Sequence, residues 1–157
     1  MLINVTGSLC VQERTREWCK LPYPDHPHGC PNYNIANDCP PKVCHINERF
    51  DLNREHYFII ETFDLCAHAK RMAAIHPEWS KKQCKCCLYW QSGVRKRLRR
   101  QCEEFIKQHP GYTFTLKPEA MGVNVFRTAH RHGLMIRKNP SIVHKVALIG
   151  MALNNEI

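Results

Sequence analysis

No apolar run in this chain is long enough to cross a bilayer. The longest, VALIGMAL at 146–153, falls far short of the ~20 residues that a membrane-spanning helix needs, so no membrane partner is expected. The opening residues, MLINVTGSLC, have neither a basic start nor an apolar core of signal-peptide length. The expectation is therefore a cytoplasmic protein with reduced thiols. Phosphate loops are missing too: neither G-x-x-x-x-G-K-[ST] nor G-x-G-x-x-G occurs. The ferredoxin run C-x₂-C-x₂-C-x₃-C is absent, and no repeat, low-complexity tract or linker divides the chain. Acidic residues are scarce, with 14 Asp and Glu against 23 Lys and Arg, a formal charge of +9 and a pI near 9.2. That balance favours an anionic partner, with nucleic acid (RNA or DNA) the leading candidate.

Cysteine is what the chain has in excess, with ten in 157 residues. Hydrophobic content of 43% is enough for a real core, so residues 1–157 read as a single metal-binding domain. The stretch from Cys19 to Cys44, CKLPYPDHPHGCPNYNIANDCPPKVC, sets four cysteines among six prolines. Proline fixes φ and removes a backbone donor, which excludes helix and interior strand here. A long irregular loop needs something to hold it, and thiolates closing on a metal would do so. Histidines 26, 28 and 45 lie close by. The candidate ligands are Cys19, Cys30, Cys39 and Cys44, with Cys84, Cys86 and Cys87 as a second group able to contribute a thiol.

Elsewhere the patterning is that of a small α/β or α+β fold. HYFIIETF (56–63) suits a buried strand, and Asp64 is placed to cap a helix over LCAHAKRMAAIH. In that helix Leu65, Ala69, Met72 and Ile75 recur on one face, and Cys66 reads as a small core residue. A helix over 92–109 presents Val94, Leu98, Cys102, Phe105 and Ile106 on one face. Its remaining arc carries Arg95, Lys96, Arg97, Arg99 and Arg100, which reads equally as a solvated face or as a nucleic-acid-binding, phosphate-contacting one. YTFTL (112–116) alternates as a strand. PEAMGVNVFRTAHRHG turns into a helix stopped at Gly133, Asn139-Pro140 marks a turn, and IVHKVALIGM (142–151) is the last strand. The architecture expected is a small sheet, about three helices and an irregular cysteine-rich loop at one edge.

All-thiolate coordination suits an iron–sulfur cluster or zinc. Trp18, Tyr23, Tyr33, Tyr89 and Trp90 would shield either from water. Asp25, Asp38 and Glu61 have no spacing that marks a general base, so enzymatic activity is left open.

Two blocks then carry a resemblance. CPNYNIANDCPP, preceded by Cys19, resembles the C…C-P-x-Y-G-(x)₄-C-P-P signature of a prokaryotic family of cysteine-rich proteins predicted to bind metal, of unknown function. KPEAMGVNVFRTAHRHGL is similar to the same family's R-P-S-M-E-A-x-G-I-D-V-F-x-T-A-…-G-L block. The resemblance implies a metal centre, iron–sulfur first, with Cys19, Cys30 and Cys39 as ligands. Two departures stand out. The family's glycine is Asn34 here, a residue that tolerates left-handed φ. The ferredoxin-like cysteine cluster that precedes the second block in that family is replaced by IKQHPGYTFTLK, so one [4Fe-4S] cluster is expected rather than two.

The leading functional expectation is an iron–sulfur protein in redox or sulfur-transfer chemistry, with a redox partner and with nucleic acid as substrate. The alternative is a zinc-stabilised nucleic-acid-binding module without catalysis. A secreted disulfide-bonded domain is the third reading.

Overall fold

The computed structural model describes residues 1–22, 26–137 and 141–153. Tyr23, Asp25 and the Asn139-Pro140 turn lie outside the described residues. Four strands, β1 (Leu2–Asn4), β2 (His56–Asp64), β3 (Tyr112–Thr115) and β4 (Ile142–Met151), form one antiparallel sheet in the order β1-β2-β4-β3. Five α-helices occur among the described residues: α1 (Ile46–Arg49), α2 (Leu65–Ile75), α3 (Lys81–Cys84), α4 (Gln91–Gln108) and α5 (Val125–Arg131). The three expected helices are α2, α4 and α5. The two additions are single turns, each closed by a capping box, His45 with Glu48 and Ser80 with Gln83.

Period-two alternation in β2 and β4 sends side chains to both faces of the sheet. Phe58 opposite Leu148 and Ile60 opposite Val146 face a core completed by Val5, Ile46, Phe50, Met121, Val123 and Val125. Ile59, Ala147 and Ile149 face the other way, onto Leu98 and Cys102 of α4. Burying a Leu or Phe side chain contributes about 1.5–3 kcal/mol, so both faces are substantial. Because both are covered, the 146–149 run is apolar without a break. Gly150 is required locally, since a Cβ there would meet the His56 ring at 2.6 Å and Phe50 at 2.9 Å. His56 is almost fully enclosed, neither ring nitrogen has a partner, and burial pushes its pKa below the ordinary 6.5.

One helix departs from its pattern. Asp64 does cap α2, accepting from the Ala67 N–H at 2.7 Å. The helix nevertheless buries only His68, leaving Ile75 65% exposed and Cys66 in solvent instead of core. The reason is position: α4 occupies the sheet face, so α2 packs sideways on α3 and the end of β4. Cys102 is in the core as expected, and burial raises its pKa to about 12.

β3 is short. It pairs with β4 only from Leu148 to Met151, so among the described residues no strand covers that edge from Ile142 to Ala147. The edge left open there borders the site described next.

Candidate metal centre and the cationic cleft beside it

Three of the seven candidate ligands come together. Cys19 lies in the last turn of a 3₁₀ segment, Glu13–Lys20, and its carbonyl accepts the Cys30 N–H at 2.7 Å. Gly29 permits that approach, because at φ +84° a Cβ would lie 2.5 Å from the Cys19 carbonyl oxygen and 2.9 Å from that of Lys20. The next turn passes through Asn34 at φ 57°, the left-handed position where the resembled family has glycine, and the Asn34 N–H donates to the Pro40 carbonyl at 2.8 Å. This brings Cys39 in, buried, beneath Lys117, whose ammonium donates to its Sγ at 3.2 Å and pairs with Asp38 at 2.7 Å.

The electrostatics show the same grouping. Burial raises the Cys19 pKa, and the neighbouring Cys30, Cys39 and Glu119 add to the rise while Lys117 opposes it. Burial works against the Lys117 charge, but its bonds to Asp38 and Cys39 outweigh it and lift its pKa above the ordinary lysine value. The Lys117 hydrogen bond holds the Asp38 carboxyl below the usual range.

The buried Arg16 fixes the far end of the loop by donating to the carbonyls of Val43 (2.9 Å), Cys44 (3.2 Å) and Pro41 (3.4 Å). Beyond this point the Cys44 side chain is exposed. His45 turns to Glu13 at 2.9 Å and not toward the thiols.

The second cysteine group lies elsewhere. Cys84 is buried at the end of α3, Cys86 is part-buried and Cys87 exposed. None of them is among the electrostatic neighbours of Cys19. Cys84 instead lines a cavity of about 320 Å³ with Cys66, between α2 and α3. Cys84 and Cys87 also stand in a C-x-x-C spacing. The aromatic residues divide likewise: Trp90 stacks on Phe63 at 4.9 Å and Tyr89 meets Trp79 at 4.9 Å, leaving Trp18 and Tyr33 on the loop side. All ten cysteines are free thiols.

Beside Lys117 a cavity of about 700 Å³ opens along the uncovered edge of β4. Its lining includes Arg49, Arg95, Arg99, Lys117, Arg137 and Lys145, against the acids Asp38 and Glu119. The five cations in the 95–100 run of α4 are thus sorted by helical position. Arg95 and Arg99, four apart, reach the cavity. Arg97 is bound to Glu61 at 2.5 Å, Arg100 pairs with Glu104 at 3.7 Å, and Lys96 is solvent-exposed.

No family model, curated protein or solved structure matches this chain. Three thiols beside one ammonium are a donor set suited to a thiophilic metal, and the cation offsets thiolate charge. Among the described residues, however, no three His, Cys, Asp or Glu side chains are already drawn close enough to hold an ion. The thiols are neighbours in a loop held by Arg16 and Gly29, not a closed donor shell. Likewise among the described residues, no helix is long and apolar enough to cross a membrane.

Gly29, Lys117, Glu119 and Lys145 escape sequence reading. A glycine next to Cys30 was the available signal for the first. The others are isolated charges whose partners lie far away along the chain.

Proposed function

We propose that Cys19, Cys30 and Cys39 form a thiolate metal centre, iron–sulfur in kind, serving redox or sulfur-transfer chemistry on an anionic, phosphate-bearing substrate such as nucleic acid. The observation that carries this reading is Lys117, which bonds the Cys39 sulfur and lines the cationic cavity. It joins the thiol group to a surface suited to phosphate. A bound cluster would supply electron transfer or a sulfur acceptor, and an iron without a fourth protein thiolate would be open to substrate. The chain's own residues have separate tasks. Gly29 and Asn34 shape the loop, Arg16 fixes its end, Lys117 offsets negative charge on sulfur, and Arg95 and Arg99 hold the substrate anion.

The test is anaerobic purification followed by iron, zinc and acid-labile sulfide analysis with an absorbance scan. A broad band at about 400 nm with iron and sulfide is expected. Cys19→Ser, Cys30→Ser and Cys39→Ser should each lose it, while Cys66→Ser and Cys102→Ser retain it. Colourless protein holding zinc through the same three thiols would replace the redox reading with that of a zinc-stabilised nucleic-acid-binding module. Metal content unchanged in all five variants would sink the centre altogether.

A further inference from the structure

Strand register places Glu61 of β2 directly opposite Lys145 of β4, which would ordinarily pair two such residues across the sheet. Glu61 is already engaged, because Arg97 and Gln101 of α4 hold its two carboxylate oxygens at 2.5 and 2.6 Å. Lys145 is left part-buried, its ammonium without a hydrogen bond or ion pair to any described residue. Burial lowers its pKa, and the nearby Arg95 lowers it further. Glu119 and Cys87 oppose this, but burial pushes the Glu119 carboxyl up, toward its neutral form. Asp38, the other acid of the cavity, is held by Lys117.

Cations from several elements therefore converge on one half-closed space with little to neutralise them. Such a cluster costs folding free energy through mutual repulsion and lost hydration. We propose that the cleft along the open edge of β4 binds clustered phosphates, received by Lys145, Arg95 and Arg99. The i, i+4 pair Arg95 and Arg99 presents two planar guanidinium forks to one side of the space, matched to phosphate oxygens. Lys145 supplies a point charge from the strand that lines the space. The volume, about 700 Å³, lies within the range of small-ligand pockets, and the cleft also opens along the sheet edge, where a strand could pass. A lone lysine on an edge strand can act as a guard against sheet extension. That role would not set Arg95 beside it or place Arg99 in the lining of the same cavity.

The inference deepens the anionic-substrate part of the function proposed above and does not need the metal. Two sources of clustered phosphate are distinguished by two probes, pyrophosphate and a single-stranded dodecanucleotide. Each is titrated calorimetrically into the full chain, as purified and again after treatment with a chelator. Lys145→Gln and Arg95→Gln should each weaken binding roughly tenfold or more. Arg100→Gln, on the outer face, should change it less than about twofold. Arg95 is on an exposed helix surface, so that variant folds, and a thermal melt checks Lys145→Gln.

Pyrophosphate binding without oligonucleotide binding identifies a small phosphoester ligand. Oligonucleotide binding that responds to the same two variants identifies a nucleic-acid strand. Failure of both probes to bind overturns the cleft, as does equal weakening by Arg100→Gln, which would mean general surface charge. Binding lost on chelation alone would assign the anion to the metal and overturn it too.

Discussion

Leu98 and Cys102 of α4 cover one face of the sheet at helical spacing, while the opposite face is covered by the 9–50 chain, most of which is neither strand nor α-helix, together with Met121, Val123 and Val125. On the α4 side the helix satisfies its own backbone, so its side chains need only pack. On the loop side the chain must be held by side chains and close approaches: Arg16 on three carbonyls, Gly29 against Cys19, Lys117 on Cys39. The first arrangement buries its thiol deep in the core. The second leaves thiols grouped and partly accessible.

Perturbing each face separately tests whether the two are independent. Leu98→Ala should have the largest effect, about 3–4 kcal/mol of lost stability in urea unfolding, with the relative reactivity of the thiols in the folded protein unchanged. Altered thiol reactivity in that variant would mean the two faces are not independent. Gly29→Ala comes next, at about 2–3 kcal/mol, because a positive φ and a backbone clash act together. It should also lower metal content, and a cost below about 0.5 kcal/mol would show that the close approach to Cys19 does not hold the loop.

The pH dependence sharpens the contrast on the core side. His56 and His68 both have folded pKa values lowered by burial from the ordinary 6.5, so protonation favours the unfolded chain. Their contribution is full above pH 6.5 and is lost as the pH falls below it toward the folded values. For His56, as for any single proton, the slope cannot exceed about 1.4 kcal/mol per pH unit. His56→Gln should flatten that slope in chemical unfolding measured from pH 7 to about pH 5, and an unaltered slope would mean that the imidazole reaches water. The smallest effect belongs to the outer face of α4. Arg100→Gln should shift stability by less than about 0.5 kcal/mol, since its pairing with Glu104 is exposed. A loss above 1 kcal/mol would show that pair to be part of the fold.

How much was legible follows from the range of the interactions. β2, β4, α4 and the Asp64 cap were readable because alternation, helical spacing and capping are short-range signals. The irregular loop was equally plain from its prolines. Cys66 and Ile75 were misplaced because α2 shows a helical pattern without revealing which neighbour it meets. Asn34 was readable as a tolerant turn residue, but its role in closing the Cys30–Cys39 segment required the Pro40 carbonyl to be in place.

The sequence by itself determined a small basic domain built on a sheet, a long amphipathic helix and a proline-bound cysteine loop. Only the tertiary structure decided which cysteines are neighbours and which cations are free. Lys117 reaches Cys39 across 78 residues and Arg97 reaches Glu61 across 36, distances over which spacing carries no information. Strand register then places Glu61 opposite Lys145, and the helix takes Glu61 away. The chemistry of the cleft depends on that competition, which exists only once strand and helix are packed together.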